Sequence, residues 1–160
     1  MTIFISHRGN TECIDEEREN TPEYIDLAIQ KGYEVEIDIW KIEDKLYLGH
    51  DEPELEVALE WLADRKKHLW IHTKNRQALE YLTEISQSFK FFWHSSEPYI
   101  LTSNGLIWAH EYEEVDNDSL CIVPLLSLEQ VEQSSVRDWF AVCTDYPDIC
   151  KEKWNTKDNN

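Results

Sequence analysis

The sequence predicts an α/β fold, a compact, helix-poor (β/α) barrel that is either closed or incomplete. Three observations predict it. Eight short apolar runs recur along the chain, amphipathic helical patterns lie between some of them, and the chain is too short for a helix after every strand. The runs are IFIS (3–6), VEIDIW (35–40), KLYLG (45–49), HLWI (68–71), FKFFW (89–93), GLIWA (105–109), LCIVPLL (120–126) and WFAVC (139–143). Their length and their Ile, Val, Leu, Phe and Trp content read as strands, several buried on both faces. Strand and helix in alternation signal a parallel sheet. An eight-stranded barrel with a full set of helices takes ~250 residues. Here 160 residues serve eight strands, so some connections lack a helix.

The helices follow in order. Thr21 caps a helix that opens on Pro22 and stops at Gly32, with Tyr24, Ile25, Ala28 and Ile29 on its apolar face. Residues 53–65 repeat at Leu55, Ala58, Leu59 and Leu62, which is helical spacing. Residues 75–86 do the same at Ala78, Leu79, Leu82 and Ile85, with Asn75 as the cap. Residues 127–133 carry a capping box from Ser127 to Gln130. Segments 41–44 and 94–104 read as helix-poor connections, and the acidic run 112–118 as a solvated loop. One domain is expected over 1–150, followed by a polar, frayed tail at 151–160.

Composition narrows the function. A hydrophobic share of 41% excludes a disordered chain. A formal net charge of -18 argues against a broad basic patch for nucleic acid or an anionic membrane surface. A small phosphorylated substrate remains compatible, because a bound cation reverses the local potential. Four Cys without CxxC spacing suit a reducing compartment, and two of them read as buried small residues. No signal peptide or membrane-length apolar run is visible, so the expectation is a cytoplasmic protein without a stable membrane anchor.

The polar residues carry the functional signal. His7 follows the first run, His50 and Asp51 the third, His94 the fifth and His110 the sixth; Asp145 follows the last. His72 and Lys74 follow the fourth, two residues apart. Only His68, of six His, begins a run. In a barrel the C-terminal strand ends share one rim, where loops build the active site. Glu36 and Asp38 lie two apart within VEIDIW, so they share a face opposite Val35, Ile37 and Ile39. A solvated edge strand gives the same alternation. If helices cover the outer face, the two acids point inward, which is costly unless they are paired or hold a metal.

In this order the motifs resemble the glycerophosphodiester phosphodiesterase family, within the phosphatidylinositol-phospholipase-C-like TIM-barrel superfamily. The matching residues are His7-Arg8-Gly9, Glu19-Asn20-Thr21, Glu36-x-Asp38, His50-Asp51, His72-x-Lys74 and Thr144-Asp145, from 7 to about 148. The resemblance implies a TIM-type barrel and a metal-dependent phosphodiester hydrolase acting on glycerophosphodiester-like small substrates. It implies Ca²⁺ or Mg²⁺ on Glu36 and Asp38, His7 and His50 as the acid/base pair, and Arg8 and Lys74 on the phosphate. His7 is assigned to the attacking hydroxyl and His50 to the leaving alcohol, an order the sequence does not fix.

The chain departs from that pattern at His72, where the family has an acid. An imidazole there favours Mn²⁺ or Zn²⁺, or leaves Glu19 to supply the missing carboxylate. The family's insertion after its His-Asp motif is also missing, and the short chain is compatible with a partial barrel or a homodimer covering an open side. Asn20, Asp51, His94, His110, Asp145 and Trp108 are second-tier candidates. Trp40, Trp93 and Trp108 stand at strand ends, where they either pack or stack on a head group. Two alternatives stand beside hydrolysis: a sphingomyelinase-D-like or phospholipase-C-like lyase that yields a cyclic phosphate, and a non-catalytic barrel that binds a phospho-ligand.

Overall fold

The computed structural model describes residues 2–85, 88–112, 115 and 118–157. Most of the acidic run 112–118, Ser86 of the third expected helix and the last three residues of the tail lie outside them. In chain order the elements are β1 (Ile3–His7), α1 (Pro22–Gln30), β2 (Glu34–Ile42), β3 (Lys45–Leu48), β4 (Leu55–Val57), α2 (Leu59–Arg65), β5 (Leu69–Thr73), α3 (Arg76–Ile85), β6 (Lys90–Phe92), β7 (Tyr99–Leu101), β8 (Ile107–Ala109), β9 (Cys121–Leu125), α4 (Leu128–Gln133), β10 (Ala141–Thr144) and α5 (Pro147–Lys157).

The capping chemistry shows why the helices start where they do. Thr21 Oγ1 accepts from the Tyr24 backbone, with Pro22 in the first turn. Asn75 Oδ1 accepts from the Ala78 backbone ahead of α3. Ser127 and Gln130 close a reciprocal capping box on α4.

Parallel ladders run in the order β6-β5-β2-β1-β10-β9-β8. Two antiparallel pieces are added. β7 pairs with β8, and β3 and β4 fold back on the far half of β2. Among the described residues no ladder joins β6 to β8. Their meeting is made by side chains and a loop instead. The Phe92 and Trp108 rings stack with centroids 4.2 Å apart, and Ser103, just beyond β7, donates its backbone N–H to Phe91 O at 2.8 Å. Its hydroxyl donates to Phe89 O and accepts from Phe91 N.

The packing decides which way β2 faces. Val35, Ile37 and Ile39 are buried with Ile25 and Ala28 of α1 and Ala78 and Leu82 of α3, on the outer, helix-covered face. Alternation therefore turns Glu36 and Asp38 to the inner face. Ile5, Trp70, Phe92, Trp108, Ile122, Ala141 and Cys143 fill the interior, so the inside of the curved sheet is a packed core rather than a channel.

Two expectations need correction, and the helix-poor connection 94–104 gains a strand. Residues 53–57 do not open a helix; Leu55–Val57 is strand β4. Leu46 pairs with Val57 and Leu48 with Leu55, so the free edge of β3 takes a partner, and tertiary pairing overrides helical spacing. Within 94–104, the strand β7 appears as cover for β8. The tail is not frayed through Lys157. It forms α5, in which Cys150 and Trp154 are buried against Trp139 and Val131, and Trp154 meets the Phe4 ring edge-on at 6.0 Å.

Candidate active site

Register brings the polar strand ends together. His7 lies opposite Glu36, and Asp38 opposite His72, in neighbouring parallel ladders. Ser6 lies opposite Thr144, which places Asp145 beside His7. His50 arrives differently. Its strand, β3, runs antiparallel, so the rule that all C-terminal strand ends share one rim does not deliver it. The β2–β3 hairpin overshoots the rim and returns, with Leu48 opposite Ile39, and Gly49 then turns the chain at φ 144°. A Cβ at Gly49 would lie 2.1 Å from Glu52 O, so only glycine fits that turn.

The loop after β1 is clasped onto β2. Arg8 and Asn20 both adopt left-handed backbone, φ 53° and 55°. Arg8 N donates to Glu36 O at 2.9 Å, and Asn20 N donates to Arg8 O at 3.0 Å. Such conformations cost of order 1–3 kcal/mol each and persist where surrounding bonds hold them. Here the result is that Asn20 grips Asp38 twice. Its Nδ2 donates to Asp38 Oδ2 at 2.9 Å, and its Oδ1 accepts from Asp38 N at 3.0 Å.

Four cationic or titratable groups crowd Asp38. Arg8 Nε lies 3.2 Å and His50 Nδ1 3.1 Å from Oδ2, while His72 Nδ1 lies 3.1 Å and Lys74 Nζ 3.4 Å from Oδ1. Burial alone would raise the Asp38 carboxyl, but His50, His72 and Lys74 more than reverse this and hold it well below the usual carboxylate range. Glu36 moves the other way. Burial first, and then the Asp38 charge, push its carboxyl up. The pair is therefore split, one acid firmly ionised and one reluctant to ionise.

His7 is oriented by Asp145, whose Oδ1 accepts from Nδ1 at 2.8 Å. Nδ1 thus carries the proton, and Nε2 is left facing Glu36, 3.9 Å away. Burial pulls the ring's pKa down, but the Asp145 hydrogen bond and the charges of Glu36 and Asp145 raise it above its ordinary value. For His50, Nδ1 lies 2.7 Å from Arg8 Nη2, which can only donate, and 3.1 Å from Asp38 Oδ2, which can only accept, so the two compete for one nitrogen.

Glu36, Asp38 and His72 each offer a ligand atom, and these atoms lie within 4.8 Å of one another. Glu36 Oε2 is buried without a hydrogen-bond partner, and Asp38 Oδ1, beside the His72 and Lys74 nitrogens, makes none of good geometry. Buried carboxylate oxygens are rarely left so, and a divalent cation fits them. Glu19, expected as a spare ligand, is not in this group. Its two oxygens accept from Arg8 Nη1 at 3.0 Å and Asn10 Nδ2 at 2.7 Å.

Other candidates separate. The Asp51 side chain is 94% exposed and lies 3.7 Å from His50 at the edge of the site. The His94 and His110 rings lie 4.6 Å apart, tilted by 45°, on a second cleft that Trp108 also lines. Burial and the neighbouring imidazoles lower the His94 pKa. Trp40 donates to Gly49 O and is a packing residue of the hairpin. Asn10 was not anticipated. Fully buried, it donates to Asp145 Oδ1 and to Glu19 Oε1, both at 2.7 Å. One amide thereby joins the residue that orients His7 to the residue that holds Arg8. The only hint in the sequence is its place directly after His7-Arg8-Gly9.

Two clefts meet at these residues. One, about 420 Å³, is lined by His7, Arg8, Glu19, Asn20, His50 and Asp145, with Glu16, Asp51 and Glu54 further out. The other, about 230 Å³, runs from His7, Arg8, Glu36, His50 and His72 toward Phe92 and Trp108. No helix among the described residues is long and apolar enough to cross a membrane.

No family model and no curated protein matches the sequence. Among solved structures, the chain is similar to a glycerophosphodiester phosphodiesterase from Agrobacterium tumefaciens str. C58, with a TM-score of 0.53 and 14% identity over 97% of this chain and all of that one. At that identity the likeness establishes the fold, a mixed α/β chain built on one large sheet and resembling the neighbour's along its whole length.

Proposed function

We propose that this chain is a phosphodiesterase that hydrolyses small glycerophosphodiester-like substrates with a divalent cation held by Glu36, Asp38 and His72. One observation carries the reading: a proton carrier locked by Asp145, two fixed cations and a buried, partnerless Glu36 oxygen beside the Asp38 carboxylate share one rim. The likeness to a phosphodiesterase structure supports it.

A phosphodiester is a monoanion, and its charge repels a nucleophile. Arg8 offers a planar fork to its oxygens, and Lys74 a point charge. A divalent cation, when bound, neutralises phosphate charge at the same place. His7 Nε2 faces the cleft with its partner nitrogen fixed, so it is set to take a proton from the attacking hydroxyl, and His50 stands across Arg8 to serve the leaving alcohol. The mixed carboxylate–imidazole donor set admits Mn²⁺ or Zn²⁺ as well as Ca²⁺ or Mg²⁺.

The test is hydrolysis of sn-glycero-3-phosphocholine by wild type, His7→Gln and Glu36→Gln, with each cation added back to chelator-treated protein. Each substitution is expected to cost at least ~10²-fold in turnover. Equal turnover in all three would remove the assignment. Phosphorus NMR of the product separates the readings: a linear monoester supports hydrolysis, and a persistent cyclic ester supports the lyase.

A further inference from the structure

The two clefts differ in chemistry, and both start at Arg8, His7 and His50. The larger is edged by Glu16, Glu19, Asp51 and Glu54, and suits a polar or cationic group. Among the described residues, the smaller is lined by no carboxylate beyond Glu36 at its catalytic end. Its far wall is Phe92, Trp108, Pro124 and Leu126, with the His94 and His110 imidazoles beside them.

A phosphodiester has two alcohol arms, and two clefts diverge from the place its phosphate would occupy. Resting on the phosphodiesterase reading above, we propose that the smaller cleft receives one arm and selects an uncharged, ring-bearing alcohol. Its wall is a run of flat side chains. The His72 ring lies nearly parallel to Phe92, 10° between planes at 5.1 Å, and Phe92 stacks on Trp108 at 25° and 4.2 Å. The edges of such flat, weakly polar side chains favour a planar or compact ring packed against them. Among the described residues lining it, a cationic head group would find no carboxylate beyond Glu36 and would lose its hydration, so the cleft disfavours it as much as it accepts a ring. The cleft volume of about 230 Å³ suits a small group, and His94 and His110 add hydrogen-bonding nitrogens that a bare hydrocarbon would leave unused.

The experiment is calorimetric titration of the full chain, at a fixed Mn²⁺ concentration, with three probes: phenyl phosphate, glycerol 3-phosphate and inorganic phosphate. Phenyl phosphate is expected to bind at least tenfold tighter than either other probe. In Leu126→Trp, a change at a partly exposed position on the cleft wall, the ratio of phenyl phosphate to inorganic phosphate affinity is expected to fall below threefold. Phenyl phosphate binding no tighter than glycerol 3-phosphate, in wild type alone, would overturn the proposal. So would an undiminished ratio in a folded Leu126→Trp. Turnover of sn-glycero-3-phosphocholine without any phenyl preference would refute this inference and leave the phosphodiesterase reading standing. Failure of every probe to bind, with no diester turned over, would overturn both.

Discussion

Replacing Glu36 with Gln sets stability against cation binding in opposite directions. Glu36 is 3% exposed, one of its oxygens has no hydrogen-bond partner, and its ligand atom lies within 4.8 Å of that of Asp38. Two unit charges ~5 Å apart repel by ~3 kcal/mol at an effective dielectric of ~20. His7, His72 and Arg8 offset part of this. Removing the charge should therefore stabilise cation-free protein at pH 7 by about 1–3 kcal/mol, or roughly 3–10 °C in Tm for a chain of this size. The pH dependence follows from the raised carboxyl. A group whose pKa is higher folded than unfolded stabilises the fold below its unfolded value and loses that contribution as pH rises through the folded one. The advantage of Glu36→Gln should then be largest near neutral pH and shrink as pH falls toward the ordinary carboxylate range of ~4.3. Saturating cation should reverse the order. Wild type gains ~2.7 kcal/mol at a hundredfold excess over Kd, and the variant much less. The assay is thermal melting in chelator and in Mg²⁺, Ca²⁺, Mn²⁺ and Zn²⁺, from pH 4.5 to 7.5. Destabilisation of the chelated variant, or a wild-type Tm indifferent to all four cations, would refute the reasoning.

Three further expectations follow from the packing. Trp154→Ala should destabilise the fold by ~3–5 kcal/mol in urea titration, because the ring is buried against Phe4 and Trp139; a change under ~1 kcal/mol would mean that α5 is dispensable. Asn10→Ala strips a buried donor from both Asp145 and Glu19 and should cost ~1–3 kcal/mol of stability, with turnover falling alongside; unchanged stability and turnover would show the bridge to be idle. A thiol reagent at pH 8 should label one Cys in native protein and four after unfolding. Cys13 is exposed, whereas burial pushes Cys121 up to about 11 and Cys150 up to about 12 and raises Cys143 well above its ordinary value; prompt labelling of a second native thiol would contradict that burial.

The sequence by itself determined the local elements and the chemistry at their ends. Alternation in VEIDIW put Glu36 and Asp38 on one face, because successive side chains in a strand point to opposite sides. Thr21-Pro22, Asn75 and Ser127-Gln130 marked helix starts, because unpaired backbone N–H groups need an acceptor within a few residues. Those are short-range constraints, and short-range pattern carries them. Only the tertiary structure decided the rest. Whether the acids face in or out depended on α1 and α3 covering Val35, Ile37 and Ile39. Residues 55–57 became a strand because β3, folded back on β2, offered an open edge, and the same fold-back brings His50 to Asp38 from a strand that runs the other way. Trp154 became core because Phe4 and Trp139, distant in sequence, surround it. Asn10 acquired its role from Asp145, 135 positions away. In each case the deciding partner is remote along the chain, and a local pattern holds no record of which remote group will supply a hydrogen bond, a ladder or a buried face.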